Sequence, residues 1–141
     1  MSDHILSDRD LDTIFRSART YYSWADTPVQ MQAIYDLARM GPTSANASPA
    51  RFIWCESAEA KAKLADCVSA GNHPKVLEAP VTVIIGMDME FYTRLPELFP
   101  HDLTARTWFE GNEATVRDTA FRNATLQGAY LMMAARAVGL D

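Results

Sequence analysis

Apolar and polar residues follow one another along this chain in blocks that predict helices and short strands in alternation. Leu11, Ile14 and Phe15 give one apolar face to a first helix from Asp8 to about Arg16. A second helix is expected to begin after Thr27. Pro28 suits its first position, and Thr27 with Gln30 makes a capping-box pattern. Val29, Ala33, Leu37 and Met40 form its stripe, with Ile34 and Ala38 beside it, and Gly41-Pro42 ends it. Arg51 to Glu56 reads as a short buried strand, after which Ser57 can cap a helix carrying Ala60, Leu64, Cys67 and Val68. Gly71-Asn72-His73-Pro74 is a break. Val81 to Ile85, between Pro80 and Gly86, is a continuous β-branched run, the pattern of a strand covered on both faces. Met89 to Gly111 is expected to be irregular and aromatic. The longest helix runs from about Glu113 to Val138, with Val116, Ala120, Ala124, Leu131 and Ala135 spaced for burial and Gly139 as its cap. The fold class is α+β, or mixed α/β, with a small sheet flanked by helices.

Composition narrows the function. At 141 residues, 48% hydrophobic and 22% charged, the chain is an ordinary globular domain that needs no disulfide or structural metal. Its net charge of −5, with no basic stripe, argues against nucleic acid as a partner. An anionic cofactor would therefore need a local basic site. Cys55 and Cys67 lack C-x-x-C spacing, and both read as buried, reduced thiols. The acidic N-terminus has neither the basic region nor the apolar core of a secretory signal. The uncharged stretch from Asn123 to Ala135 is too short to span a bilayer, so no membrane contact and a cytoplasmic location are expected. His4, His73 and His101 are far apart in sequence and lack ligand spacing, so no metal site is expected. The sequence contains no G-x-S-x-G elbow, no dinucleotide glycine fingerprint and no Walker loop.

Three clusters remain as candidate chemistry. Phe15-Arg16-Ser17-Ala18-Arg19 places two guanidiniums and a hydroxyl near one helix end, a set suited to the oxygens of a phosphate. Two arginines there also complement the helix dipole without any ligand. Gly41 to Phe52 (GPTSANASPARF) packs small polar side chains into a turn that can approach a flat heterocycle, or is simply a turn. Asn72-His73-Pro74-Lys75 puts an amide and an ammonium just ahead of the apolar strand, where the lysine either meets a ligand or is solvated.

Taken in order and spacing, these clusters resemble the nitroreductase superfamily: its R-x-S-x-R/K motif, its P-S-S-x-N-x-Q-P-W loop and its N-x-x-K before a strand. The EFYTRLPELFPH segment and the TAFRNATLQGAYLMMAARAVGLD helix look most like malonic semialdehyde reductases of pyrimidine utilisation. The resemblance covers nearly the whole chain and implies a homodimer around FMN, joined through the long helix. It implies NADH or NADPH as hydride donor and a small aldehyde as acceptor, reduced here from 3-oxopropanoate to 3-hydroxypropanoate. A general nitroaromatic or quinone reductase, and a non-catalytic flavin-binding remnant, are the alternatives. Carried over by position, Ser17 and Arg19 fall on the phosphate side, with Arg16 one place from the family's first arginine. Pro42, Thr43, Ser44 and Asn46 match the loop that reaches the neighbouring protomer's flavin. Asn72 and Lys75 match the pair beside the pyrimidine edge, with Lys75 in the catalytic, charge-stabilising role. Phe15 stands where the family has its first arginine, and Ser48 and Ala50 replace its Gln and Trp. Residues 1–141 are read as one nitroreductase-like domain that ends before the family's last strand and C-terminal arm.

Overall fold

A computed structural model describes residues 5–25 and 27–141; His4 lies outside them. Helix α1 (Asp8–Leu11) runs on into a π-helical turn, Asp12–Arg16, close to the expected span. Ser7 caps it reciprocally with Asp10: the Asp10 amide donates to Ser7 Oγ at 3.2 Å, and the Ser7 amide donates to the Asp10 carboxylate at 3.0 Å. Helix α2 (Met31–Ala38) starts later than the pattern predicts, and Gln30 caps it without a side-chain bond. Its buried residues are Ile34 and Ala38, whereas Leu37 and Met40 are 50% and 78% exposed. The face that packs is thus rotated by roughly a third of a turn from the predicted stripe, because α2 lies on the long helix through the Ile34–Ala38 edge.

Strands β1 (Ala50–Cys55) and β2 (Thr82–Met87) pair antiparallel, with Ala50 opposite Met87 and Cys55 opposite Thr82. Between them lie α3 (Ala58–Ala65), capped by the Ser57 hydroxyl as expected, and α4 (His73–Glu78). The predicted break at Gly71–Pro74 is therefore in part the opening of a helix: Asn72 is its N-cap and Pro74 sits in its first turn. Cys55 is buried but Cys67 is exposed, against expectation, because α3 ends before it. Strand β2 is not covered on both faces within one chain, since Ile84 and Ile85 remain 38% and 44% exposed.

The aromatic stretch after β2 is more ordered than its pattern suggests. A 3-10 turn (Phe91–Arg94), helix α5 (Leu95–Leu98) and a second 3-10 turn (Ala105–Trp108) wrap a small core in which Phe91, Leu95 and Ala105 are fully buried. Phe91 and Phe109 meet edge to face at 4.9 Å. Helix α6 (Glu113–Ala137) is the spine. It packs on α2 and on both strands. Its Leu131 and Ala134 join Ile34 and Ala38 in one core, and Val116 and Ala120 join the aromatic one. Gly139, at φ +87°, takes the left-handed conformation beyond its end.

Candidate functional site

The loop from Gly41 to Ala50 is shaped by a close approach and by strain. A Cβ on Gly41 would lie 2.1 Å from the Tyr130 ring, so only glycine fits where the loop leaves α2. The Tyr130 hydroxyl donates to Pro42 O at 2.9 Å. Three non-glycine residues then take left-handed backbone: Ala45 (φ +49°), Asn46 (+51°) and Ser48 (+41°). Such conformations persist only where surrounding contacts hold them. Here the Ser48 amide donates to Thr43 Oγ1 at 3.1 Å, and Asn46 Nδ2 donates to Leu98 O at 2.8 Å. From α6, Asn123 Oδ1 accepts the Ser44 amide and Gln127 Oε1 accepts the Ala50 amide, each at 2.9 Å. Ala47 and Pro49 are buried beneath the loop, while Pro42, Ser44 and Asn46 are exposed.

A second corner lies where the end of α1 meets α4. Lys75 Nζ stands 4.6 Å from the centre of the Tyr22 ring and 3.4 Å from Asn72 Oδ1. Among the described residues no carboxylate pairs with this half-buried ammonium. Ser17 and Tyr21 line a cleft with Arg136 and Gly139. Arg16 is occupied: Asp8 and then Asp12 hold its guanidinium, each at 2.8 Å, which raises its pKa further. Arg19 folds back onto the carbonyls of Arg16 and Ala18. Both arginines are exposed, and such pairs exchange readily for another anion.

The predicted residues therefore form two groups, not one. Asn72 and Lys75 meet Tyr22, whose chain neighbour Tyr21 lines the Ser17 cleft at the C-terminal end of α6. There Arg136 donates to Thr13 O at 2.6 and 2.9 Å. Thr43, Ser44 and Asn46 are anchored near Asn123. The 13 residues between those anchor points separate them by about 20 Å along the helix axis. Sequence reasoning missed Tyr22, Asn123, Gln127 and Arg136. Only the amides carried a signal, as polar residues four apart within an uncharged helical stretch.

No protein-family model matches the chain. Individual relatives do. A Burkholderia lata protein that bears the name NADH dehydrogenase/NAD(P)H nitroreductase is 58% identical over 139 residues, covering 96% of this chain and 71% of that relative. The similarly named HadB of Ralstonia pickettii is 54% identical, covering 93% of this chain and 69% of its own. The chain belongs to the nitroreductase superfamily. Solved structures bear out the fold. A nitroreductase of Exiguobacterium sibiricum in complex with FMN superposes with a TM-score of 0.76 at 23% identity, over 89% of this chain and 69% of that one. The enone reductase CLA-ER, of gut-bacterial fatty acid saturation, gives 0.76 at 20%, over 95% and 73%.

The groups at this nitroreductase's Lys75 corner fit a flavin. An ammonium without a carboxylate partner among the described residues, beside a carboxamide, suits the carbonyl edge of such a ring, and Ser17 and Arg19 suit a phosphate once Arg19 turns outward. Among the described residues no cluster of His, Cys, Asp and Glu could hold a metal ion, and no helix is long and apolar enough to cross a membrane.

Proposed function

We propose that residues 1–141 form one nitroreductase-like domain that binds FMN and, as a homodimer, passes reducing equivalents from NADH or NADPH to a small acceptor. The observation that carries this reading is Lys75: a half-buried cation held by Tyr22 and Asn72 with no carboxylate partner among the described residues. When bound, FMN supplies the hydride relay between donor and acceptor. Lys75 and Asn72 hold its polar ring edge, and Lys75 stabilises negative charge there. Ser17, Arg19 and, after leaving its carboxylates, Arg16 take the phosphate. Pro42, Thr43, Ser44 and Asn46 close the site from the second copy.

The dimer reading rests on the outer face of α6. Phe121, Thr125, Gly128 and Met132 form one stripe that continues onto Ile85 and Met87 of β2. Phe121 and Met132 are 62% and 59% exposed, a contiguous apolar surface of the kind that marks an interface. A two-fold axis across this exposed face would set the two long helices side by side, with the loop group toward one end of each helix and the Ser17 group toward the other.

For the acceptor we favour a small acidic aldehyde, malonic semialdehyde by resemblance. A cleft at the β1 edge carries Arg51 and Arg94 beside Tyr35 and Trp54. Arg51 is tied to Asp88, whereas Arg94 is exposed and has no ion pair among the described residues. The names of the relatives favour a second reading, a general nitroaromatic or quinone reductase. Titrating the chain with FMN tests the cofactor, and an absence of binding overturns the proposal. NAD(P)H oxidation with 3-oxopropanoate, nitrofurazone and a quinone separates the acceptors. Much faster turnover of nitrofurazone at equal concentration removes the aldehyde reading and leaves the general one.

A further inference from the structure

We infer that Asn123 and Gln127 are positioning residues that set the shape of the flavin loop from the far side of the dimer helix. The inference rests on the FMN and homodimer reading above. Both side chains are 6% exposed, the two buried polar residues among those described. They lie four apart on α6, one helical turn, so their amides point the same way. Asn123 Oδ1 takes the Ser44 N–H at the start of the strained stretch, and its Nδ2 donates to Thr119 O at 2.9 Å, which fixes the orientation of the amide. Gln127 Oε1 takes the Ala50 N–H at its end. The three left-handed residues Ala45, Asn46 and Ser48 fall between these two points.

Non-glycine residues in that conformation relax toward ordinary backbone unless both ends are fixed. Two buried acceptors at fixed helical spacing supply that restraint. They keep the polar edge of the loop outward while Ala47 and Pro49 stay inside. Residues on a helix advance by about 100° each, so the Asn123–Gln127 edge and the Phe121–Thr125–Met132 stripe lie on nearly opposite sides of α6. One rigid element thus carries the proposed partner contact on one side and the loop restraint on the other. The partner's flavin is then met by a loop whose position is referenced to the interface itself.

The test compares the full chain with Asn123→Leu and Gln127→Met, which keep volume and remove the acceptors, and with Asn123→Asp and Gln127→Glu, which keep them. FMN affinity is read by quenching of flavin fluorescence, stability by thermal unfolding without FMN, and turnover as kcat and KM separately. We expect folded Asn123→Leu and Gln127→Met to bind FMN roughly tenfold more weakly or worse, the scale of an unsatisfied buried amide. Gln127→Glu should recover most of its loss, and Asn123→Asp less, because a carboxylate cannot donate to Thr119 O. Variants that lose thermal stability but keep the FMN affinity of the unaltered chain show a merely structural role and overturn the inference. An unaltered chain that does not bind FMN overturns the cofactor reading instead, and the inference with it. Where the apolar variants do not fold, amide hydrogen exchange in the unaltered chain decides. Slow exchange at Ser44 and Ala50 without FMN is expected, and exchange as fast as an unprotected loop overturns the restraint.

Discussion

The Gly41–Ala50 loop and the Ser17–Ala25 segment are both assigned to one cofactor, yet they are held in opposite ways. The loop is strained, and to its local hydrogen bonds it adds long-range ones. It is tied to Leu98, Asn123, Gln127 and Tyr130, between 52 and 88 residues away. The segment has ordinary backbone and local bonds: Ser17 to Asp12, Arg19 to Arg16 and Ala18. Its remote contacts are packing and charge, chiefly Tyr22 against Lys75. A wall that must reach into another subunit has to be rigid before the partner arrives, because ordering it on contact would subtract from affinity. A phosphate-side segment has a different task, since an exposed cation can turn onto its anion at little cost.

The comparison breaks most completely at the shared face. Placing Glu at Phe121 would bury an unpaired charge in each half of the proposed two-fold interface, at a cost of about 3 kcal/mol, or on the order of 100-fold in dimer affinity. Light scattering should show Phe121→Glu as a monomer, and FMN retention should fall with it. A dimer that survives this change would place the interface elsewhere. Lys75→Ala probes the other group alone. Losing a partly buried cation at the flavin edge amounts to about 1–3 kcal/mol, which for two electrons is roughly 20–65 mV of lower midpoint potential. Spectroelectrochemistry on the FMN-loaded protein measures it, and an unchanged potential means that Lys75 is only solvated.

Local features were legible from the residues. The Ser57 cap, the β-branched run of β2 and the span of α6 all reflect short-range propensity and period. Tertiary choices were not. The stripe of Val29, Ala33, Leu37 and Met40 is as regular as the face that packs, and nothing in α2 itself says which one α6 will cover. Gly71–Pro74 looks like a break because glycine, asparagine and proline fall within four residues, although proline is equally at home in a first helical turn. The aromatic stretch lacks a period because its core is built from several short turns. At the site, motif positions nominated candidate residues but not their division into two groups, which depends on where each lies along α6.

A smaller effect sharpens the contrast at the loop's entry. Gly41→Ala drives a methyl group into the Tyr130 ring, which also holds Pro42. Overpacking of this kind costs about 1–3 kcal/mol. Thermal unfolding should show the loss, with a drop of roughly 2–4 °C per kcal/mol for a chain near this size. Hydrogen exchange should quicken across the loop and leave α1 unchanged. If Gly41→Ala unfolds at the same temperature as the unaltered chain, the close approach is not a real restraint.

The smallest expected effect separates the two regions by pH. Ser7 holds the Asp10 carboxylate below the usual range, first through its hydroxyl at 2.6 Å and then through its backbone amide. A depressed folded pKa means that the carboxylate form stabilises α1 above the unfolded value near 3.9. That contribution is lost as pH falls through the folded value. The loop has no such dependence, because its clamps are the carboxamides of Asn123 and Gln127, which do not titrate. Between about pH 5 and pH 3, amide exchange corrected for its intrinsic pH dependence should therefore accelerate around Asp10 and Leu11. Ser44 and Ala50 should keep their protection over the same range. Ser7→Ala should shrink the pH step at α1, since both hydroxyl bonds are lost and only the backbone N–H of position 7 still meets the carboxylate. If the step is undiminished in that variant, another carboxylate sets it, and the capping box is not what secures the segment leading into Ser17.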